Sequence, residues 1–544
     1  MKTWKIHKRK KDIISSLLAS RKLKTPAAIA EFLHPHPPQT ITPKQLGINK
    51  SQVDKIITRV HQAIAKKQPI VVYGDYDADG ICATAVLWES LYQLTPHVLP
   101  FIPHRQKHGY GLSIKGIDEI IGSLKPSALS LKPLIITVDN GIVAHKAVEY
   151  ANKKGIDVII TDHHVPMKSL PPAFAIFHST KLAGAGVAWV LSQLINPVEN
   201  LELATIGSVA DMVPLLELNR SLVKFGLEKL ASTNRAGLKA LFEAANLDTV
   251  NNTLGTYEIN FVIAPRLNAM GRIGHALDSL RLLCTKSASK ASDLAQIVSL
   301  TNDDRKQLTE DQLIHAKTII GETTHQKILV VSDPSYHEGV IGLIAGKLVE
   351  AYWRPTIVVS TGENGTSKAS ARSIPGFNII EALRAMSHHL VDVGGHPMAA
   401  GFTIETTKIA AFTKDLQILA NKQITASLLE QSLDIDCEIN LSEITWDLYH
   451  DLEKFAPFGI GNPRPVFATK NVQVVAAKGV GQEQKHLKLS VQQNGTTVSG
   501  IGFNLGHHME SLSTGTHLDL AYTIDSNTYN GNTSLQLKLI DLFL

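Results

Sequence analysis

Three short apolar runs constrain this chain more than anything else in it: "PIVVYG", "KPLIITVDNG" and "IDVIITDHHVP". Each is apolar at consecutive positions, and helix-like stretches, "ICATAVLWESLYQL" and "IVAHKAVEYANKKG", follow the first two. A strand with one wet face alternates between apolar and polar residues, whereas a strand covered on both faces does not. The pattern therefore predicts an α/β domain with a parallel sheet wrapped by helices on both sides. Each run also gives way to acidic residues or histidines, in "DYDADG", "DNG" and "DHH". Ligands of such sheets gather outside the carboxyl ends of the strands. Chemistry is expected at that edge.

The chain has 544 residues, enough for three or four domains, and its texture changes along the way. We expect a basic segment over 1–68 packing on the first domain, a parallel-sheet domain over 69–230, and a helical connector over 231–325. A second α/β domain is expected over 326–430, opening on "KILVVSD", and a β-rich domain over 431–544. Short alternating runs there, with Asn494-Gly495 and Asn530-Gly531 between them, predict hairpins and a small β-barrel of the OB type.

With 44% apolar and 19% charged residues the chain can bury sizeable cores. No apolar stretch reaches the ~18–20 residues of a membrane span. Cys82, Cys284 and Cys437 lie too far apart for a disulfide frame or a zinc–thiolate pattern, and a cytoplasmic location is expected. Lys and Arg exceed Asp and Glu by 12 in the first 70 residues, although the whole chain carries only +5. A basic arm of this kind attracts phosphate-rich polymers, and it serves equally well as a solvated helical face. Asp12 before its short apolar run and "RKLK" after it argue for an intracellular segment rather than a leader.

Asp75, Asp77 and Asp79 are too close together to stay ionised without a cation among them. Asp139, then Asp162, His163 and His164, then Asp211 extend the set from three further segments. Oxygen and imidazole donors without thiolates suit Mg²⁺ or Mn²⁺. Carboxylates from four segments at one sheet edge could assemble a pair of ions about 3.5–4 Å apart, the arrangement that cleaves phosphoesters. Any one of these aspartates alone reads as a helix cap or turn residue. The combination is the signal. A calcium loop is excluded because the glutamate required at its twelfth position is missing. "GAGVAW" is no dinucleotide loop, since Trp189 stands where the third glycine belongs.

"DYDADG", "VDNG", "TDHH" and "GSVADMVPL" occur in the order of the motifs of the DHH phosphoesterase superfamily. "IAPRLNAMGRIGHALDSLRLL", "YHEGVIGLIAGKLVE", "SARSIPGFNIIEAL", "GGHPMAAGF" and "FAPFGIGNPRPVF" resemble its RecJ branch, with the DHHA1 and OB domains of that branch. The resemblance runs from about Pro69 to Leu544. It implies that Asp77, Asp79, Asp139, His163 and Asp211 hold two Mn²⁺ or Mg²⁺ ions, with Asp139 between them. Asp75 and His164 would lie beside them as ligands or orienting partners. Arg272 and His396 would face the scissile phosphate, and Arg105, Ser370 and Arg372 would bind a terminal 5′-phosphate.

The implied activity is a single-stranded-DNA-specific exonuclease that works 5′ to 3′ by two-metal hydrolysis and releases 5′-mononucleotides in recombination and repair. Its implied partners are single-stranded DNA with a 5′ end, a RecQ-type helicase and a single-strand-binding protein, with no membrane. A monomer is expected. The alternatives are a hydrolase of short oligonucleotides or small phosphoesters, which the β-rich end argues against, and a non-catalytic scaffold, which the complete carboxylate set argues against. His34, His36 and the pair His388-His389 are expected to have no carboxylate companions and are read as loop or helix-surface histidines. Phe455, Phe458, Phe467, Phe503, Tyr522 and Tyr529 are read mainly as barrel core, with one or two left to stack bases.

Overall fold

The computed structural model describes residues 2–124, 131–248, 254–321, 325–362, 364–529 and 531–544, with the side chain of Tyr529 outside that set. The chain forms two compact units. One comprises Pro43–Ala210 and Ala231–Gln431; the other comprises Met1–Thr42, Asp211–Leu230 and Ser432–Leu544.

The first unit holds the sheet that the apolar runs predict. Its five strands are all parallel and lie in the order Val98–Phe101, Ile70–Tyr73, Leu134–Val138, Val158–Asp162, Ala175–His178. The three central strands are buried at every position, which explains why their sequences do not alternate. Helix Ala78–Tyr92 is buried without a break from Ala78 to Leu87 and packs against helices Gly184–Ile195 and Leu201–Ala210. Arg235 ties this layer together, pairing with Glu89 of the first helix and, at 3.0 Å, with Glu202 of the third.

The 33-residue helix Ala288–Ile320, capped by Ser287, runs on to a second sheet. This sheet has the order Leu390–His396, Ala399–Glu405, Thr366–Arg372, Thr356–Ser360, Leu329–Asp333; only its last two strands are parallel.

The second unit is the β-barrel. Strand Phe467–Val480 pairs with both His486–Gln493 and His517–Tyr529, which closes the sheet on itself. Asn494 and Gly495 both take positive φ, 50° and 84°, as the two-residue hairpin between His486–Gln493 and Thr496–Gly502 requires. Strands His517–Tyr529 and Asn532–Phe543 form the second hairpin, although Asn530 itself lies outside the described residues.

Phe455, Phe467 and Tyr522 are fully buried in the barrel core, whereas Phe503 is exposed beside His486. The basic start of the chain divides. Ile13, Leu17 and Phe32 belong to the barrel core and strand Thr3–Ile6 pairs in parallel with Ser432–Ile435, while helix Lys50–Ala65 belongs to the first unit. There Arg59 pairs with Asp157 at 2.8 Å. Arg220, almost wholly buried, donates to the carbonyls of Phe32, Lys454, Phe455 and Ala456 and so joins three separate stretches of chain.

Candidate metal centre

The acidic loops converge at the carboxyl edge of the parallel sheet. Ligand atoms of Asp75, Asp77 and Asp139 lie within 4.8 Å of one another, as do those of Asp139, His163 and His164. Asp139 is common to both groups. It sits at φ 60° in the left-handed region, which aspartate tolerates better than most residues. His163 Nε2 lies 3.1 Å from Asp139 Oδ1 and 3.8 Å from Asp79 Oδ2.

Local structure fixes each acid. Asp77 caps helix Ala78–Tyr92 by accepting from Gly80 N at 3.0 Å, so the ordinary helix-cap role and membership of the cluster coincide in one side chain. Asp79, one residue into that helix, accepts from the amides of Gly184 and Ala185 at 2.7 and 2.9 Å. These are the first amides of a second helix, and a helix N-terminus favours a carboxylate. Two glycines make room for the acids. A Cβ on Gly184 would stand 2.3 Å from Asp139 Oδ1, and one on Gly207 would stand 2.5 Å from Asp79 Oδ1. Asp211 is half-buried and follows Ala210 directly, one turn beyond Gly207 in the chain.

The electrostatics call for a cation. Burial, followed by the charge of Asp77, holds Asp75 well above the usual carboxylate range and pushes Asp79 up to about 7. Burial, followed by His164, pushes His163 down to about 4, so it is neutral and able to donate a lone pair. Asp75 Oδ2 is buried with no hydrogen-bond partner among the described residues. A divalent ion would satisfy that oxygen and remove the repulsion, so the donor set fits Mn²⁺ or Mg²⁺.

His164 is engaged at both ring nitrogens, with Nδ1 2.8 Å from Asp162 Oδ1 and Nε2 2.8 Å from the Tyr110 hydroxyl. Asp162 also accepts from the amides of Ile142, His163 and His164. Burial would raise its pKa, but the hydrogen bond and charge of His164 and these amides outweigh it and lower it instead.

Arginines gather in the same unit. Arg272 ends helix Ala264–Ile273, where burial and then the charges of Arg105, Arg305 and Arg372 push it down to about 10. It remains a cation at neutral pH. Its Nη1 donates to Gly339 O at 3.0 Å. Arg105 lies over the Tyr76 ring at 5.3 Å, and Tyr76, Arg105 and Arg272 line a cavity of about 200 Å³ with His275 and His337. Arg372 Nη1 donates to Ser370 Oγ at 3.1 Å along strand Thr366–Arg372. His396, exposed at the end of strand Leu390–His396, is near enough to contribute to the lowered pKa of His163. An arginine group this dense calls for an anion, as the acid group calls for a cation.

Sequence reasoning passed over Gly184, Gly207, Asn268 and Tyr110. Asn268 accepts from Ala78 N at 2.7 Å and so steadies the "DYDADG" loop. The small residues of "LAGAG" were the available signal, because their amides and missing side chains serve Asp79 and Asp139. The expectation that these histidines lack a carboxylate companion is corrected for three of them. His36 has Glu31 at 3.4 Å, and His389 and His388 have Asp415 at 2.9 and 4.0 Å, on a helix that sequence proximity does not reveal.

Comparison with known proteins agrees with this layout. The chain matches the DHH family N-terminal domain over residues 69–213, the DHHA1 domain over 325–422 and the RecJ OB domain over 435–541. It is 33% identical to the single-stranded-DNA-specific exonuclease RecJ of Bacillus subtilis, covering 97% of this chain and 67% of that protein. It is 32% identical to the Escherichia coli protein of the same name, covering 91% of this chain and 90% of that one. The crystal structure of Thermus thermophilus RecJ in complex with Mn²⁺ is similar with a TM-score of 0.82 and 28% identity, covering 98% of this chain and 76% of that one. The corresponding Mg²⁺ complex is similar with a TM-score of 0.74 and 26% identity, covering 97% and 74%.

Proposed function

The chain belongs to the RecJ family of DHH phosphoesterases, and on that premise we propose that it degrades single-stranded DNA from the 5′ end, releasing 5′-mononucleotides. The observation that carries the reading is the pairing of a buried acid cluster, sharing Asp139 between two ligand groups, with a nearby cluster of arginines. Apart from Asp211, the metal donors are thereby available in one unit with the phosphate donors.

Asp75, Asp77, Asp79, Asp139, His163 and Asp211 would hold two Mn²⁺ or Mg²⁺ ions, which supply an activated water and countercharge for a phosphoester displacement. His164, held between Asp162 and Tyr110, orients the adjoining His163. Arg272 and His396 stabilise charge on the scissile phosphate, and Arg105, Ser370 and Arg372 receive the terminal 5′-phosphate. Arg supplies a planar fork for phosphate oxygens and Ser a neutral donor. The barrel guides the strand, with exposed Phe503 as a stacking surface. The domain limits expected from residue 231 onward and a role in recombination and repair, alongside a RecQ-type helicase and a single-strand-binding protein, belong to the same proposal. Among the described residues no helix is long and apolar enough to cross a membrane.

The test is digestion of 5′-labelled and 3′-labelled single strands with Mn²⁺ or Mg²⁺, resolved by product length. The label should leave first as a mononucleotide from 5′-labelled strands, and EDTA should stop the reaction. Asp139→Ala should abolish cleavage while strand binding persists. Faster turnover of a dinucleotide than of a long 5′-phosphorylated strand would overturn the substrate assignment in favour of a small-phosphoester hydrolase.

A further inference from the structure

Another group of metal-ligand side chains lies in the second sheet's domain. His388 and His389 close the turn Ser387–His389, and Asp415 projects from helix Ile409–Gln423. His389 Nε2 lies 2.9 Å from Asp415 Oδ2, and His388 Nε2 lies 4.0 Å from the same oxygen. The two imidazole rings are 4.1 Å apart between centroids. One ligand atom from each of the three residues falls within a 4.8 Å sphere of separation.

Bond lengths of about 2.0–2.1 Å at tetrahedral angles put neighbouring ligand atoms roughly 3.3 Å apart around zinc. The observed separations bracket that value. A plain histidine–aspartate hydrogen bond accounts for His389 alone. It leaves unexplained why a second imidazole nitrogen, on the adjacent residue, lies within 4.0 Å of the same carboxylate oxygen.

The frame is fixed in the way a ligand frame needs. The side chain of His389 is only 12% exposed and sets its ring edge-on to fully buried Phe412, at 6.2 Å and 82°. Asp415 is three residues beyond Phe412 on one helix, so both present to the same face. His388 is 62% exposed, which leaves the open side to water. Two imidazoles and one carboxylate form a borderline donor set that prefers Zn²⁺, Co²⁺ or Ni²⁺ to Mg²⁺.

We propose that His388, His389 and Asp415 form a binding site for a Zn²⁺-class ion, completed by water, that staples the turn to the helix. Strand Leu390–His396 begins at the next residue and ends at His396. The ion therefore anchors the root of the strand whose tip carries a proposed phosphate contact.

The test uses the full chain dialysed against Zn²⁺, with bound metal counted by elemental analysis and affinity measured by chelator competition. His388→Ala and Asp415→Asn should each lose one equivalent of Zn²⁺ relative to the wild type. Neither change empties a packed position. Asp139→Ala, which alters the acid cluster instead, should keep that equivalent. Mn²⁺-dependent nuclease activity of the first two variants in zinc-free buffer should equal that of the wild type. Co²⁺ bound to the wild type should give visible absorption bands of an imidazole–carboxylate site that His388→Ala removes. Equal zinc stoichiometry in wild type and His388→Ala, or uptake only above about 1 mM Zn²⁺, would overturn the proposal.

Discussion

Adding a single methyl group at Gly184 should disable the metal centre without dismantling the protein. The Cβ of Gly184→Ala would lie 2.3 Å from Oδ1, 2.5 Å from Cβ and 2.6 Å from Cγ of Asp139. Ordinary contact begins near 3.4 Å, so the aspartate must withdraw by roughly 1 Å, and a displacement of that size in a reacting centre costs about 10²-fold in rate. Backbone conformation raises no objection, since Gly184 is not among the positive-φ residues. Overpacking of this kind costs about 1–3 kcal/mol, leaving the variant folded. The control is Gly346→Ala in helix Ile341–Tyr352, where a new Cβ meets nothing within 4 Å and helix propensity should improve stability by roughly 0.5–1 kcal/mol. Single-turnover release of nucleotides from a 5′-phosphorylated strand with saturating Mn²⁺ measures the effect, and fluorescence anisotropy with the same strand measures binding. Wild-type cleavage by Gly184→Ala, or an equal loss in Gly346→Ala, would refute the claim that this glycine makes room for Asp139.

Three further outcomes follow from the same geometry. Arg220→Met should lower stability by about 3–5 kcal/mol in urea denaturation followed at the barrel, because four backbone carbonyls lose a buried donor; a change under about 1 kcal/mol would show that water replaces it. Arg235→Ala should cost a similar amount by stranding Glu89 and Glu202, and Glu89→Gln in that background should recover part of it. Mn²⁺ should raise Tm more at pH 8 than at pH 6. Asp79 titrates at about 7 in the folded chain against 3.8 when unperturbed, so the metal-free fold loses stability as pH rises through that window, and the ion offsets a buried charge that exists only above it. Equal shifts at the two pH values would argue against that carboxyl as a ligand.

The parallel sheet was legible because burial on both faces leaves a simple trace, consecutive apolar residues at 70–73, 134–136 and 158–160. The acids were legible because repulsion among Asp75, Asp77 and Asp79 has few explanations. Asn494-Gly495 announced its hairpin through the positive φ that the turn demands. Contacts made across the fold left no such trace. The small residues around Gly184 signal a close approach but do not say that Asp139 and Asp79 make it, and nothing near His389 points to Asp415. The division of the basic start was hidden for the same reason. Its charges are conspicuous, but Ile13, Leu17 and Phe32 decide where it packs. Patterns of period two or four expose an element's own faces, and they are silent about which distant backbone amide a carboxylate will find.

The barrel unit draws on the beginning, middle and end of the chain, and this sets an order of assembly. Trp4 donates to Asp541 at 2.9 Å and packs on Phe543, so Trp4 waits for a residue made 537 positions later. At typical ribosome speeds, synthesis of the intervening span Pro43–Gln431 takes roughly 20–80 s. During that interval Ile13, Leu17 and Phe32 have no core to enter and are natural clients for chaperones. The sheet unit has no such delay, because its stretches are complete once Gln431 has emerged. A nascent chain stalled near that point would display a finished parallel sheet, with Asp211 still on a segment of the unfinished barrel.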